Sequence, residues 1–382
     1  MKRFTGFLAW IILLIVFFTV PASAASSAVF SADELFTERD LLKTADLTGS
    51  VLYTVSDGQD IRIASAGVYV ITGTASNATV TVEAEKDDKV QLVLDGVSIV
   101  NTDFPAIYIK SAGKVFVTVS GDSSLSVTGT FRTDGSTNTD GVIFSKVDLT
   151  LNGTASLTIS STDNGIVGKD DLKITGGTYR ITAYSKAIEA NDSIRIAGGT
   201  ISITAGTDGL HAENEEDETK GYVYINGGSL TIQAGDDGVH GTSVVQIDGG
   251  SLNIRAAEGI EGTYIQINGG TISIQGSDDG INAARKSGAY TPMIEINDGD
   301  ITIVMGSGDT DGIDANGHII VNGGTIHVSG NSTFDCDGTA QFNGGTIIVN
   351  GQQVSSIPNQ MMGGQGGLGG HGSGGRGGRG GW

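Results

Sequence analysis

The sequence predicts an all-β fold, a right-handed parallel β-helix of about thirteen coils with a period near 21–22 residues. Two alternating motifs carry that prediction. One is an acidic or amide corner followed by glycine: Asn164-Gly165-Ile166, Asp208-Gly209-Leu210, Asp237-Gly238-Val239, Glu258-Gly259-Ile260, Asp279-Gly280-Ile281, Asp311-Gly312-Ile313 and Asp337-Gly338. The other is Gly-Gly-Thr/Ser, at Gly176, Gly198, Gly227, Gly249, Gly269, Gly323 and Gly344; from Gly176 to Gly269 the spacings are 22, 29, 22 and 20 residues. Self-similarity at that period marks a stacked repeat.

The third observation is the phase of the apolar residues. In the coil from Val245 to Tyr264, Val245 and Ile247 alternate with Gln246, Leu252 and Ile254 alternate with Asn253, and Ile260 follows the Glu258-Gly259 corner. These are three short period-two segments, each with one apolar face. Adjacent coils repeat the pattern, with Ile225, Leu230, Ile232 and Val239 before it and Ile267, Ile272, Ile274 and Ile281 after it. One coil cannot bury its apolar face alone, but a stack can, because each coil covers the next. Glycine at the corners is expected to supply positive φ. Asn-Gly and Asp-Gly also signal antiparallel hairpins, yet hairpins have no reason to restore one motif every two turns. The right hand follows from crossover sterics.

Taken in order, residues 1–24 read as a signal peptide: Lys2 and Arg3, the apolar run Phe7 to Phe18, then Pro21-Ala22-Ser23-Ala24. The run is shorter than the ~20 residues that span a bilayer, so no membrane span is expected after cleavage. The mature chain is therefore expected to be secreted, with cell-surface association possible. Residues 25–48 read as an N-terminal cap or arm, 49–357 as the solenoid, and 358–382 as a disordered tail. In Met361–Trp382, 13 of 22 residues are glycine. Cys336 is the only cysteine, which excludes an intrachain disulfide. Two insertions, His211 to Gly221 and Asn282 to Met293, both leave directly after an acidic corner, so both are expected to overhang one edge and to mark the binding face.

Formal net charge is −21, and −23 once Lys2 and Arg3 are removed. That excludes nucleic acid as a natural partner. Stacked coils lie ~4.8 Å apart and Ca²⁺ takes oxygens at ~2.4 Å, so one ion can touch carboxylates of adjacent coils. Asp208, Asp236, Asp237, Glu258, Asp278, Asp279, Asp309 and Asp311 are the candidate ligands. The alternative is that each Asp is a turn residue facing water. Glu189, Glu261 and Asp314 stand three positions beyond their corners, and His211 and His240 share that outward column with Glu261, Asn282 and Asp314.

Tyr184, Tyr264 and Tyr290 offer ring faces for sugars, with Arg285 and Lys286 beside them. Should the chain be catalytic, β-elimination from a uronate is the expected reaction, with Lys186, Arg285 or Lys286 as the base. Each is equally explained as a charge balancing an acidic wall.

Several N-terminal stretches point to a family. They are Phe36-Thr37-Glu38-Arg39-Asp40-Leu41, Gly67-Val68-Tyr69-Val70-Ile71-Thr72-Gly73, Leu94-Asp95-Gly96-Val97 and Pro105-Ala106-Ile107-Tyr108. Together with the Asp-Asp-Gly-Ile-Asn-Ala and Asn-Gly-Gly repeats and the Gly-rich tail, they resemble secreted bacterial carbohydrate-binding domain proteins. The resemblance implies a right-handed, pectate-lyase-like parallel β-helix that binds calcium, cellulose and acidic plant polysaccharides such as polygalacturonate. It thus implies a plant or cell-wall polysaccharide as partner. A pectate-lyase-like eliminase and a calcium-stabilised surface scaffold or adhesin without sugar specificity are the alternatives. Lys186-Ala187-Ile188-Glu189 departs from the pattern by replacing the acidic corner of its coil.

Overall fold

The computed structural model describes residues 28–307 and 310–358. The expected signal peptide, Asp309 and nearly all of the expected tail lie outside the described residues. Within them, three strands recur in each coil, and each pairs in parallel with its counterpart one coil away. The first face runs through thirteen strands, from Val51–Thr54 to Ala340–Phe342. The second includes Thr178–Ala183, Thr200–Ala205 and Ser251–Ala256, and the third Asn164–Gly168, Ile188–Ala190 and Leu210–Ala212. One pairing between strands is antiparallel: Gln352–Val354 folds back on Thr346–Val349. This is the parallel solenoid that the repeat predicted.

The core is made of columns. Leu172, Ile194 and Val223 pair in register on the first face. On the second face Leu230, Leu252 and Ile272 do so, and on the third Ile188, Leu210 and Val239; all are buried. Burying one such side chain contributes about 1.5–3 kcal/mol, and the columns repeat it at every coil.

The glycines do two different jobs, where the sequence suggested one. In each Gly-Gly pair the second residue takes positive φ, as at Gly250 (95°) and Gly270 (96°), conformations that favour glycine. The corner glycines do not. A Cβ on Gly280 would stand 2.4 Å from the carbonyl oxygen of Gly312 in the next coil, and one on Gly238 2.6 Å from that of Gly259. Their job is close approach between coils, not backbone sign. At the turn before the second face, Asn343, Asn322, Asn297 and Asn268 form a side-chain ladder, three of them followed by a Gly-Gly pair and Asn297 by Asp298-Gly299. The amide nitrogens of Asn343, Asn322 and Asn297 each donate to the side-chain oxygen of the preceding Asn at 2.7–2.8 Å, and that of Asn268 donates to Asp248 Oδ1 at 2.7 Å.

The N-terminal segment, expected as a cap or arm, lies along the first face. Gln246 and Gln266 accept the backbone N–H groups of Phe30 and Val29. Phe36 packs with Tyr222, Tyr224, Val244 and Tyr264. Further along, the fully buried Asp40 meets Lys114 at 2.5 Å and Lys173 at 3.2 Å. The arm therefore spans many coils as a strap.

Candidate functional site

The third face carries two outward ladders side by side. A corner residue points out, glycine follows, the next residue enters the core, and the residue three beyond the corner points out again. Register fixes the second ladder as Glu189, His211, His240, Glu261, Asn282, Asp314 and Asp335. The sequence placed His211, His240, Glu261, Asn282 and Asp314 in one column, and the structure does the same. The corner ladder brings Asp237 against Glu258 and Asp279 against Asp311.

Part of the corner chemistry is structural. Asp208 Oδ1 accepts the backbone N–H of Asp237 at 3.3 Å, and Asp279 Oδ1 that of Asp311 at 3.2 Å. In the coil that lacks the acidic corner, Asn164 Oδ1 accepts the N–H of Lys186 in the same way. Among the double-acid corners, Asp236 and Asp278 are exposed, whereas Asp237 and Asp279 stand in the ladder. The second acid of each pair is the one placed among other carboxylates.

In the middle of the face, His211 and His240 stack with ring centroids 4.6 Å apart. His211 Nδ1 lies 2.8 Å from Asp208 Oδ2 but is not aligned as a hydrogen bond. His240 Nδ1 lies 2.9 Å from Asp237 Oδ2 and 2.8 Å from Glu261 Oε2. Lys286 Nζ holds the other Glu261 oxygen at 2.6 Å. Burial opposes the charge on His240, but its hydrogen bonds to Asp237 and Glu261 prevail and push it up to about 9.

The carboxylates beyond that point behave differently. Burial, then the charge of Glu261, pushes Glu258 up to about 8. Burial and the neighbouring acids likewise push Asp279 up to about 6 and Asp314 up to about 7. Asn282 is 9% exposed and donates through Nδ2 to Glu258 at 3.0 Å. Its Oδ1 is buried without a partner, as is Asp311 Oδ1. In the following coil Asp314 is the registered neighbour of Asn282. Crowded carboxylates and orphaned oxygens fit a hard oxygen-seeking cation such as Ca²⁺. Glu258, Asp279, Asn282, Asp311 and Asp314 are the residues nearest those oxygens in register, although no three of these carboxylates bring oxygens within 4.8 Å of one another among the described residues, so an ion there would have to draw them together.

The two insertions meet over this edge, where Ser287 Oγ donates to the Glu218 carbonyl at 2.7 Å. Between the first insertion and the ladder lies a polar cavity of about 470 Å³, lined by Lys169, Lys186, Glu189, Asp192, His211 and Lys220 among others. Lys169 and Asp192 carry no motif of their own, and Lys220 is marked only by its place in the first insertion.

The aromatic candidates scatter. Tyr184 is 79% exposed at the corner between the second and third faces. Tyr264 is 8% exposed, packs under the arm with Phe36, and bonds Glu295 through its hydroxyl at 2.5 Å. That burial takes its ring off the surface as a sugar platform, because a residue two before Gln266 on the first face points toward the strap. Tyr290 lies against Tyr264. Arg285 and Lys286 are exposed on the second insertion, and Lys186 Nζ lies 3.6 Å from Glu189.

Fold and site together define a parallel β-solenoid with an ionisable double ladder and two converging loops on one edge. The chain belongs to the family of carbohydrate-binding domain-containing proteins, whose profile matches residues 57–309 and 260–353. A carbohydrate-binding domain-containing protein of Acetivibrio thermocellus is 36% identical over 130 residues, which is 33% of this chain. The matched part spans 46% of that relative's length. A polysaccharide lyase-like protein from C. thermocellum, solved as a gadolinium derivative, is 26% identical and covers 78% of this chain and 98% of its own, with a TM-score of 0.44.

Proposed function

We propose that this chain is an exported, calcium-dependent polysaccharide-binding protein whose third face meets cellulose or an acidic, pectin-like glycan. The observation that carries the calcium reading is the pair of orphaned buried oxygens, Asn282 Oδ1 and Asp311 Oδ1, within a registered group of carboxylates. Bound there, the ion would cancel charge that otherwise repels an anionic polymer from a chain of net charge −21. Membership of a carbohydrate-binding family supports a polysaccharide partner, and the converging insertions supply an edge along which a chain can lie.

Binding is favoured over elimination by the state of the candidate bases. A lysine base must be neutral, yet Lys286 is held above its ordinary value: burial works against its charge, but the Glu261 hydrogen bond and charge outweigh it. Lys186 faces Glu189. The test is binding to polygalacturonate and to cellulose with calcium and then with excess chelator, while ultraviolet absorbance follows any unsaturated uronate. Binding lost with chelator at flat absorbance is expected. Rising absorbance would replace this reading with a lyase, and failure to bind any glycan would replace it with a scaffold.

A further inference from the structure

We propose that Asp237, His240 and Glu261 form a second cation site of different chemistry, one that takes a borderline transition-metal ion, zinc foremost. The three side chains come from two successive coils and are 7%, 7% and 4% exposed. Their donor atoms, His240 Nδ1 and one carboxylate oxygen from each acid, all lie within 4.8 Å of one another. Calcium takes oxygen ligands, whereas zinc takes imidazole nitrogen together with carboxylate oxygen. This proposal rests on other residues than the calcium patch and stands apart from it.

Surrounding groups already orient two of the three donors. His240 Nε2 faces Thr242 Oγ1 at 3.4 Å, a hydroxyl able to accept the Nε2 proton when Nδ1 binds a metal. Lys286 occupies Glu261 Oε1 and so leaves Oε2 turned to the imidazole. His211 stacks on the ring at an interplanar angle of 13° and limits its rotation.

As the site stands, a proton on Nδ1 is shared by two carboxylates at 2.8–2.9 Å. A tetrahedral zinc ion with ligands at about 2.0–2.1 Å sets them about 3.3–3.4 Å apart, so the oxygens withdraw by a few tenths of an ångström. The ion takes the proton's place, Nδ1–H gives its proton to solvent, and three protein ligands leave a fourth position open.

The full chain, stripped with chelator, is titrated with Co²⁺ while its visible d–d absorption is followed. The expected result is one equivalent bound with the intense bands of a low-coordinate nitrogen–oxygen site, displaced by Zn²⁺ but not by excess Ca²⁺. His240→Gln should weaken that binding by more than the about 10–100-fold that loss of a ligand's hydrogen-bond partner costs. His318→Gln, at a different face, should leave it unchanged. No saturable uptake by the unaltered chain, or unchanged affinity in His240→Gln, overturns the proposal.

If His240→Gln does not fold, zinc-edge anomalous diffraction from the unaltered protein decides instead. A peak among Asp237, His240 and Glu261 supports the site, and a peak elsewhere or none overturns it. Polysaccharide binding measured with calcium alone is independent of every one of these outcomes.

Discussion

Asp40 is the most deeply committed charge in the chain. Its carboxylate is fully buried, accepts from Thr37 and Thr150, and meets two ammonium groups. Burial alone would raise its pKa, but Lys114, the Thr37 N–H and Lys173 together hold it well below the usual carboxylate range. Lys173 carries a cost in return, since burial and the nearby Lys114 push it down. Because the folded value lies below the unfolded one, the stabilisation is present above about pH 4 and is lost as pH falls further. Asp40→Asn leaves two ammonium groups without their anion and should cost about 3–5 kcal/mol near neutrality. In acid titrations followed by circular dichroism, the difference between variant and parent should shrink as pH falls below 4, and a constant gap would refute this role. Gly280→Ala tests the other residue-scale argument. Its Cβ meets the Gly312 carbonyl oxygen at 2.4 Å, so a loss of about 1–3 kcal/mol is expected in urea unfolding. A neutral result would mean that the coils can part at no cost.

At the scale of elements, the strap rather than any strand distinguishes this solenoid. Phe36 fills a cluster with Tyr222, Tyr224, Val244 and Tyr264 that no coil supplies alone. Truncating it to alanine should cost about 3 kcal/mol by analogy with other buried aromatics. Intrinsic fluorescence should report exposure of those tyrosines, and an unchanged melting midpoint would mean that the arm merely rests on the face. The arm also marks where sequence reasoning stopped. Columns such as Ile188, Leu210 and Val239 were legible because a period of about 22 residues forces identical neighbours into contact. The strap pairs Asp40 with Lys114 and Gln246 with Phe30, across separations of 74 and 216 residues. Nothing periodic encodes such contacts. For the same reason His211 and His240 were legible as neighbours. The burial of Tyr264 was not, because only the strap covers this outward-facing residue.

For the whole molecule, stability should vary along the stack instead of being shared evenly. In a linear array each coil is held by its two neighbours, and the ends have one each. The C-terminal end is closed by Gln352–Val354 folding back antiparallel, which satisfies an otherwise open strand edge. The other end begins at Val51–Thr54 with Leu52 exposed. Between them the strap ties the coil of Lys114 to that of Gln266, a bond between non-adjacent coils that nearest-neighbour stacking lacks. Opening any coil in that interval must also release part of the strap. Native-state hydrogen exchange should therefore show the slowest amides in first-face strands such as Leu149–Gly153, Ser193–Ile196 and Tyr222–Ile225, and the fastest in Val51–Thr54 and Gln352–Val354. Phe36→Ala should flatten the difference by accelerating the central strands while leaving both ends nearly unchanged. Uniform exchange along the parent chain would mean instead that the solenoid opens as one cooperative unit, with the strap adding stability but no local protection.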